Sequence, residues 1–266
     1  NGFASDGFIL GDNVSGTGST NQNAYTYVAW NWKANGAGVS NTAGTISSTI
    51  SASPTSGFSI ITYTGTGSSG TLGHGLGVTP AMIITKRRDS SDQGEWQVSH
   101  QSLTNGITGN GLFLNTTAAQ FATGGWISSV SSTTIGLSSA TSNNGSGRTF
   151  VAYVFAPIAG YSAFGSYTGN GSTDGPFVHL GFKPKFWMSK RTDSTSSWLI
   201  VDGARNTYNI VDDYLIPNLS DAEGSATVMD FVSNGVKFRG TTHNDSGATW
   251  IYMAFAENPF SISLAR

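Results

Sequence analysis

The chain is poor in the groups that do chemistry. It has four histidines (His74, His100, His179, His243), three glutamates (Glu95, Glu223, Glu257) and no cysteine. A structural or catalytic metal needs several such ligands converging at bonding distance, and no H-E-x-x-H or H-x-H spacing occurs. His74 and His179 fall in equivalent turns, but alignment on Gly77 and Gly181 puts them one position out of register. Both read as turn or rim histidines. Glycosidases need two acidic groups facing each other across a cleft. Asp212 and Asp213 are adjacent, so on a strand they are expected to point to opposite faces. No G-x-S-x-G elbow is present for a serine hydrolase. The glycine run GTGSSG at residues 65–70 lies between strand patterns, with no following G-K-[ST], so hairpin glycines are expected and not a phosphate loop. Asp89, Ser90, Ser91 and Asp92, and Asp193 with Ser194, offer oxygens to Ca²⁺ without a full ligand set. The expectation is no catalytic, cofactor-binding or metal-ligating residue.

What remains is a matched pair of tryptophans. Trp96 and Trp198 occupy equivalent positions, followed two strand-steps on by His100 and Asp202. Equivalent tryptophans in repeats read as core anchors; the alternative is a platform on which a sugar stacks. Arg205 and Asn206 follow Asp202 in the second copy only. The candidate ligand-binding set is therefore Trp198, Asp202 and Arg205.

These residues sit in a repeated framework. Residues 57–86 and 160–190 share an aromatic strand, Y-T-G-x-G-S, a glycine turn, L-G-[VF]-x-P and a short apolar run ending on a basic residue. Tyr63 and Tyr167 are about 104 residues apart, a domain-sized period. Thr149 opens TFVAYVFA and Thr249 opens TWIYMAFA, while Thr26 opens a third such run, TYVAWNWK; Asn144, Asn244 and Asn21 precede them by five residues. Each run is β-branched and aromatic enough for a buried strand. EWQVSH matches SWLIVD, and LFLNTTAAQ matches YLIPNLSDAE, with Asn115 against Asn218. The last pair is the place where a short helix or irregular turn is expected.

The sequence thus predicts an all-β chain of two tandem β-sandwich or jelly-roll-like repeats, residues 57–157 and 160–266, joined at Pro157-Ile158-Ala159 and closely abutting. Residues 1–33 read as the terminal strands of a preceding unit. Residues 34–56 read as a linker holding a possible edge strand at TISSTISAS. Composition agrees: 35 glycines and only 11% charged residues suit short strands and tight polar turns and disfavour helices. A net charge of −2 gives no footprint for nucleic acid, and no apolar run is long enough for a membrane-spanning helix. With no cysteine, the redox compartment stays undecided.

Residues 30–67 and 73–86, then 167–194 and the closing IYMAFAENPF, resemble a repeated β module of tailed-phage tail-fibre and virion structural proteins, notably in phages of marine bacteria and cyanobacteria. The resemblance implies a non-enzymatic distal tail-fibre segment on the virion surface that attaches to a host cell-surface glycan or outer-membrane receptor. It implies a homo-oligomer, a trimer by analogy with fibres, in contact with other virion proteins, with neither nucleic acid bound nor membrane insertion. Two other readings stand beside it: an architectural head-decoration or tail-shaft module without host binding, and a polysaccharide depolymerase.

Overall fold

The structure, a computed structural model, describes residues 2–4, 7–11, 20–89 and 94–258. Residues Asn1–Trp32 form one unit and Lys33–Arg266 another. In the first, strands β1 (Gly2–Phe3) and β2 (Phe8–Ile9) pair as a hairpin. Residues 25–32 form no ladder, which corrects the expectation of a terminal strand beginning at Tyr27. An apolar run becomes a strand only where neighbouring backbone groups pair with it along its length.

The second unit holds both repeats. Repeat 1 comprises β3 (Val39–Asn41), β4 (Ser48–Ser53), β5 (Phe58–Thr64), β6 (Gly70–Gly73), β7 (Met82–Arg87), β8 (Gln97–His100), β9 (Asn110–Phe113), β10 (Phe121–Ala122), β11 (Ile127–Val130), β12 (Thr134–Leu137) and β13 (Thr149–Phe155). Its main sheet runs β10-β9-β8-β7-β13-β5-β4-β3, and a second sheet runs β11-β12-β6. Repeat 2 comprises β14 (Ser162–Thr168), β15 (Phe177–His179), β16 (Pro184–Arg191), β17 (Trp198–Asp202), β18 (Val211–Leu215), β19 (Gly224–Val232), β20 (Gly235–Phe238) and β21 (Thr249–Ala256). They form one ladder, β14-β21-β16-β17-β18-β19-β20-β15. The strand order is repeated: β5-β13-β7-β8-β9 matches β14-β21-β16-β17-β18, and β11-β12-β6 matches β19-β20-β15. Repeat 2 joins its two layers because β19 pairs with β18 through its first half and with β20 through its second, with a register shift between Val211 and Asp213. Chain-turning irregularities of this kind carry a strand from one layer to the other.

Residues 34–56 are not a linker, although the strand expected within TISSTISAS forms as β4, inside the sheet and not at its edge. β4 pairs with β5 on one side and β3 on the other, and Ile46 and Ile50 lie in the core of repeat 1. The glycines, serines and threonines that read as linker are small because backbone approaches closely here: a Cβ on Gly44 would stand 2.2 Å from the Thr71 carbonyl oxygen. Of the short helix or irregular turn expected at 114–120 and 216–223, the irregular turn is what forms, and the helical turns stand elsewhere, at Gly106–Thr108 and Thr141–Asn144.

One asparagine organises each repeat. Asn144 is fully buried. Its Nδ2 donates to the carbonyls of Ser68 and Ser138, both at 2.8 Å, and its Oδ1 accepts the Thr66 N–H at 2.9 Å. Asn244 does the same with Ser172, Gly240 and the Asn170 N–H. The backbone carbonyls of both asparagines accept the N–H of Gly67 and Gly171, at 2.7 Å. Tyr63 Oη donates to Asn143 O at 2.6 Å, and Tyr167 Oη to His243 O at 2.8 Å. The Y-T-G-x-G motif is thus one half of a clamp and the distant asparagine the other. Its first glycine is required by close approach: a Cβ on Gly65 or Gly169 would lie 2.3 Å from a carbonyl oxygen of the asparagine turn.

β13 and β21 lie within their sheets, with partners on both sides. One face of β13 (Phe150, Ala152, Val154) enters the core of repeat 1, and one face of β21 (Trp250, Tyr252, Ala254) enters the core of repeat 2. The opposite faces, including Tyr153 and Phe155, and Met253 and Phe255, turn towards the other repeat. Phe155 meets Phe164 and Phe255 with ring centroids 6.1 Å apart. The main sheets are therefore apolar on both sides, which is why these strands read as unbroken apolar runs. His100 is fully buried in this junction. Its Nε2 lies 3.1 Å from Tyr252 O, and its Nδ1 accepts the Ser102 N–H. Lys190 is also fully buried here, its Nζ donating to Arg191 O at 2.7 Å and to Thr117 O at 3.4 Å. Burial pushes that ammonium down to about 8, with Arg191 adding to the effect.

Two outcomes are expected. Replacing Asn144 or Asn244 by Ala strands two carbonyls and an N–H, at a cost of about 2–4 kcal/mol. Denaturant unfolding should show this loss, and Asp should not rescue it, because a carboxylate would face the two carbonyls that the amide donates to. Secondly, burial holds His100 down to about 4 and His243 to about 3. The unfolded chain takes up protons below about 6.5 while the folded chain resists, so stability should fall as pH drops from 6.5 towards 4. Urea midpoints across that window should show a shallower decline in His100→Gln.

Candidate binding cleft

β17 carries two of the three candidate ligand residues and the turn after it the third. Trp198 is 1% exposed, on the face turned towards repeat 1. Its Nε1–H donates to Phe113 O at 2.9 Å, and its backbone N–H to Asn218 Oδ1 at 2.8 Å. Asn115 holds the backbone of Trp96 in the same way, at 2.9 Å. An indole enclosed between two sheets cannot stack on a ligand, so Trp198 is a core anchor and not a platform. Trp96, its counterpart, is only half-buried. It stacks on Tyr153 at 6.2 Å, with Lys86 Nζ 5.7 Å from its ring centre.

Asp202 and Arg205 also turn inward. Asp202 Oδ1 accepts the N–H groups of Ala204 and Arg205, both at 3.0 Å, and its Oδ2 accepts Arg205 Nε at 2.7 Å. Arg205 then reaches Glu223 at 2.9 Å and Ile200 O at 3.3 Å. Burial pushes the Asp202 carboxyl up, but the Arg205 guanidinium and the two N–H donors outweigh it, and its pKa ends below the ordinary carboxylate value. The pair positions a loop and offers nothing outward, which corrects its assignment as ligand-binding.

The loop that it positions is clamped twice more. Asn206 Oδ1 accepts the N–H groups of Asp212 and Asp213, and its Nδ2 donates to both carboxylates at 2.9 Å. The register shift in β18 thereby brings to one amide two carboxylates that regular strand geometry would put on opposite faces. Asn209 Nδ2 donates to Phe231 O at 3.1 Å, and its Oδ1 accepts the Phe231 N–H at 2.9 Å, as a paired strand would. Between the clamps Tyr208 stands 85% exposed.

Beside Tyr208 lies a cleft of about 180 Å³, between this loop and the start of β16. Phe231 and Val211 contribute apolar surface, and Lys183 and Glu257 form part of the wall, 2.9 Å apart. Lys185 Nζ stands 3.8 Å from Glu257 and donates to Gly203 O at 2.8 Å. Repeat 1 has Thr79, Gln101 and Pro157 where repeat 2 has Lys183, Gly203 and Glu257, and its loop at 101–109 carries no aromatic residue. The Gln101 side chain instead donates to Phe164 O at 2.7 Å, within the junction. Sequence reasoning reached Asn206 but missed Tyr208; a lone aromatic in a polar N-T-Y-N loop of one repeat was the available signal.

His74, His100 and His243 serve the fold. His74 is buried, its Nδ1 accepting the Leu76 N–H and its Nε2 3.2 Å from Ser131 O. His179 is exposed on β15. Among the described residues, no three of His, Asp and Glu stand close enough to hold a metal ion. Ser90, Ser91 and Asp92 of the Ca²⁺ reading lie outside the described residues. Asp89 and Asp193 pair with Arg87 and Arg191, at 2.6 and 2.9 Å.

The sequence model of a domain of unknown function, DUF7483, matches residues 1–259. The chain belongs to the DUF7483 family. That match takes in both sandwiches, so in DUF7483 the repeats and their junction fall within one family unit. No curated protein and no solved structure matches the chain. In this DUF7483 chain, removing the junction anchor is expected to unfold more than one strand: Trp198→Ala should cost about 3–5 kcal/mol. Trp198→Phe, which keeps a ring and loses the bond to Phe113, should cost about 1 kcal/mol. Chemical denaturation of the two variants separates packing from hydrogen bonding.

Proposed function

We propose that this chain is a non-enzymatic virion-surface module of a phage, a distal tail-fibre segment that attaches to a glycan on the host cell. One observation carries the reading: repeat 2, and not repeat 1, presents an exposed aromatic side chain on a multiply clamped loop beside a small polar cleft. Exposing a tyrosine does nothing for folding, whereas a ring with an apolar face and a hydroxyl edge suits contact with a sugar. The clamps around Asn206 and Asn209 hold the loop in place before any ligand arrives, which lowers the ordering cost of binding. The resemblance to phage tail-fibre modules supplies the biological setting, and self-association and contact with other virion proteins belong to the same proposal.

Binding of the purified chain to an array of bacterial surface glycans tests it. Retention of a defined set of glycans is expected, with loss of that set in Tyr208→Ala at an unchanged melting temperature. An array on which the wild-type chain retains nothing, or on which Tyr208→Ala behaves as wild type, overturns the reading and favours a purely architectural module.

A further inference from the structure

We infer that the cleft beside Tyr208 takes a single pyranose ring bearing a carboxylate, a uronic acid or a related acidic sugar. The inference rests on the attachment reading and names the ligand class of its site. Size sets the first limit. A volume of about 180 Å³ falls below the several hundred Å³ typical of pockets for drug-sized ligands; it suits one sugar ring at the end or side of a glycan.

Charge sets the second limit. Two ammonium groups, Lys183 and Lys185, share the one carboxylate of Glu257 at 2.9 and 3.8 Å. Lys185 is further tied to Gly203 O. Lys183 lines the cleft beside its partner and is about half exposed. The group carries a net positive charge at the wall, and Lys183 is the cation with room to turn towards a ligand. The Asp212 and Asp213 carboxylates are not part of the lining and are engaged by the Asn206 amide. Repeat 1 has neither the lysine nor the glutamate at this corner. An anionic substituent that accepts from Lys183 Nζ while its ring lies on Tyr208 uses both features that distinguish repeat 2.

Titration of the full chain with methyl β-D-glucuronide and methyl β-D-glucoside, followed by ligand-observed NMR at low salt, tests this. The glucuronide is expected to bind about three- to fivefold more tightly, the scale of one partly exposed ion pair. That preference should shrink with added salt and vanish in Lys183→Gln, while Tyr208→Ala weakens both sugars. Equal binding of the two, or a preference unmoved by Lys183→Gln, overturns the acidic-sugar assignment and leaves sugar attachment standing. Failure of both to bind overturns the assignment too, and the glycan array then decides whether attachment survives at another site.

Discussion

A buried amide that closes two hydrogen-bonding loops at once is the interaction on which each sandwich depends. The Asn144 and Asn244 side chains tie the Y-T-G-x-G turn, the approach to the last strand and the far layer together through donors and acceptors that only a carboxamide provides. In the dry interior, every partner of that amide would be left unsatisfied without it. The tyrosine hydroxyl bond, the close approach at Gly65 and Gly169 and the positive φ of Gly67 and Gly171 follow from the same geometry. Short β-strands rich in serine and threonine have little else to hold their turns in register.

The second constraint is the apolar layer between the repeats. Each main sheet covers a core on one face and meets the other repeat on the opposite face, so β13 and β21 are apolar throughout. Polar groups caught in the layer are hydrogen-bonded across or along it: His100 to Tyr252, Trp198 to Phe113, Gln101 to Phe164, Lys190 to Thr117. These bonds give the junction a register that apolar contact alone would not specify. They also use up, in repeat 1, the corner that in repeat 2 remains open beside Tyr208. Four of the positions at which repeat 2 departs from repeat 1, Lys183, Gly203, Tyr208 and Glu257, lie together at that corner.

The all-β class was legible in the chain alone, because β-branched and aromatic runs between glycine-rich turns are a local signal; which strands pair was not, since β12 and β13 are neighbours in the chain and lie in different sheets. Tyr63 and Tyr167, Asn115 and Asn218, and Asn144 and Asn244 could be aligned by eye, and they perform matching tasks. What depended on distant contacts was not legible. Thr26 opens a run as apolar as those at Thr149 and Thr249, yet residues 25–32 form no ladder, since a strand is defined by its neighbours. Residues 34–56 look like a linker because small residues serve flexible chain and tight packing alike. Trp198, Asp202 and Arg205 were chosen for residue type, which says nothing of direction; the fold turns all three inward. Tyr208 becomes notable only when the tertiary structure leaves its ring in solvent beside Lys183, 25 positions earlier in the chain. Sequence determined which residue types recur in each repeat, and tertiary structure decided which of them are spent on packing and which are left in solvent.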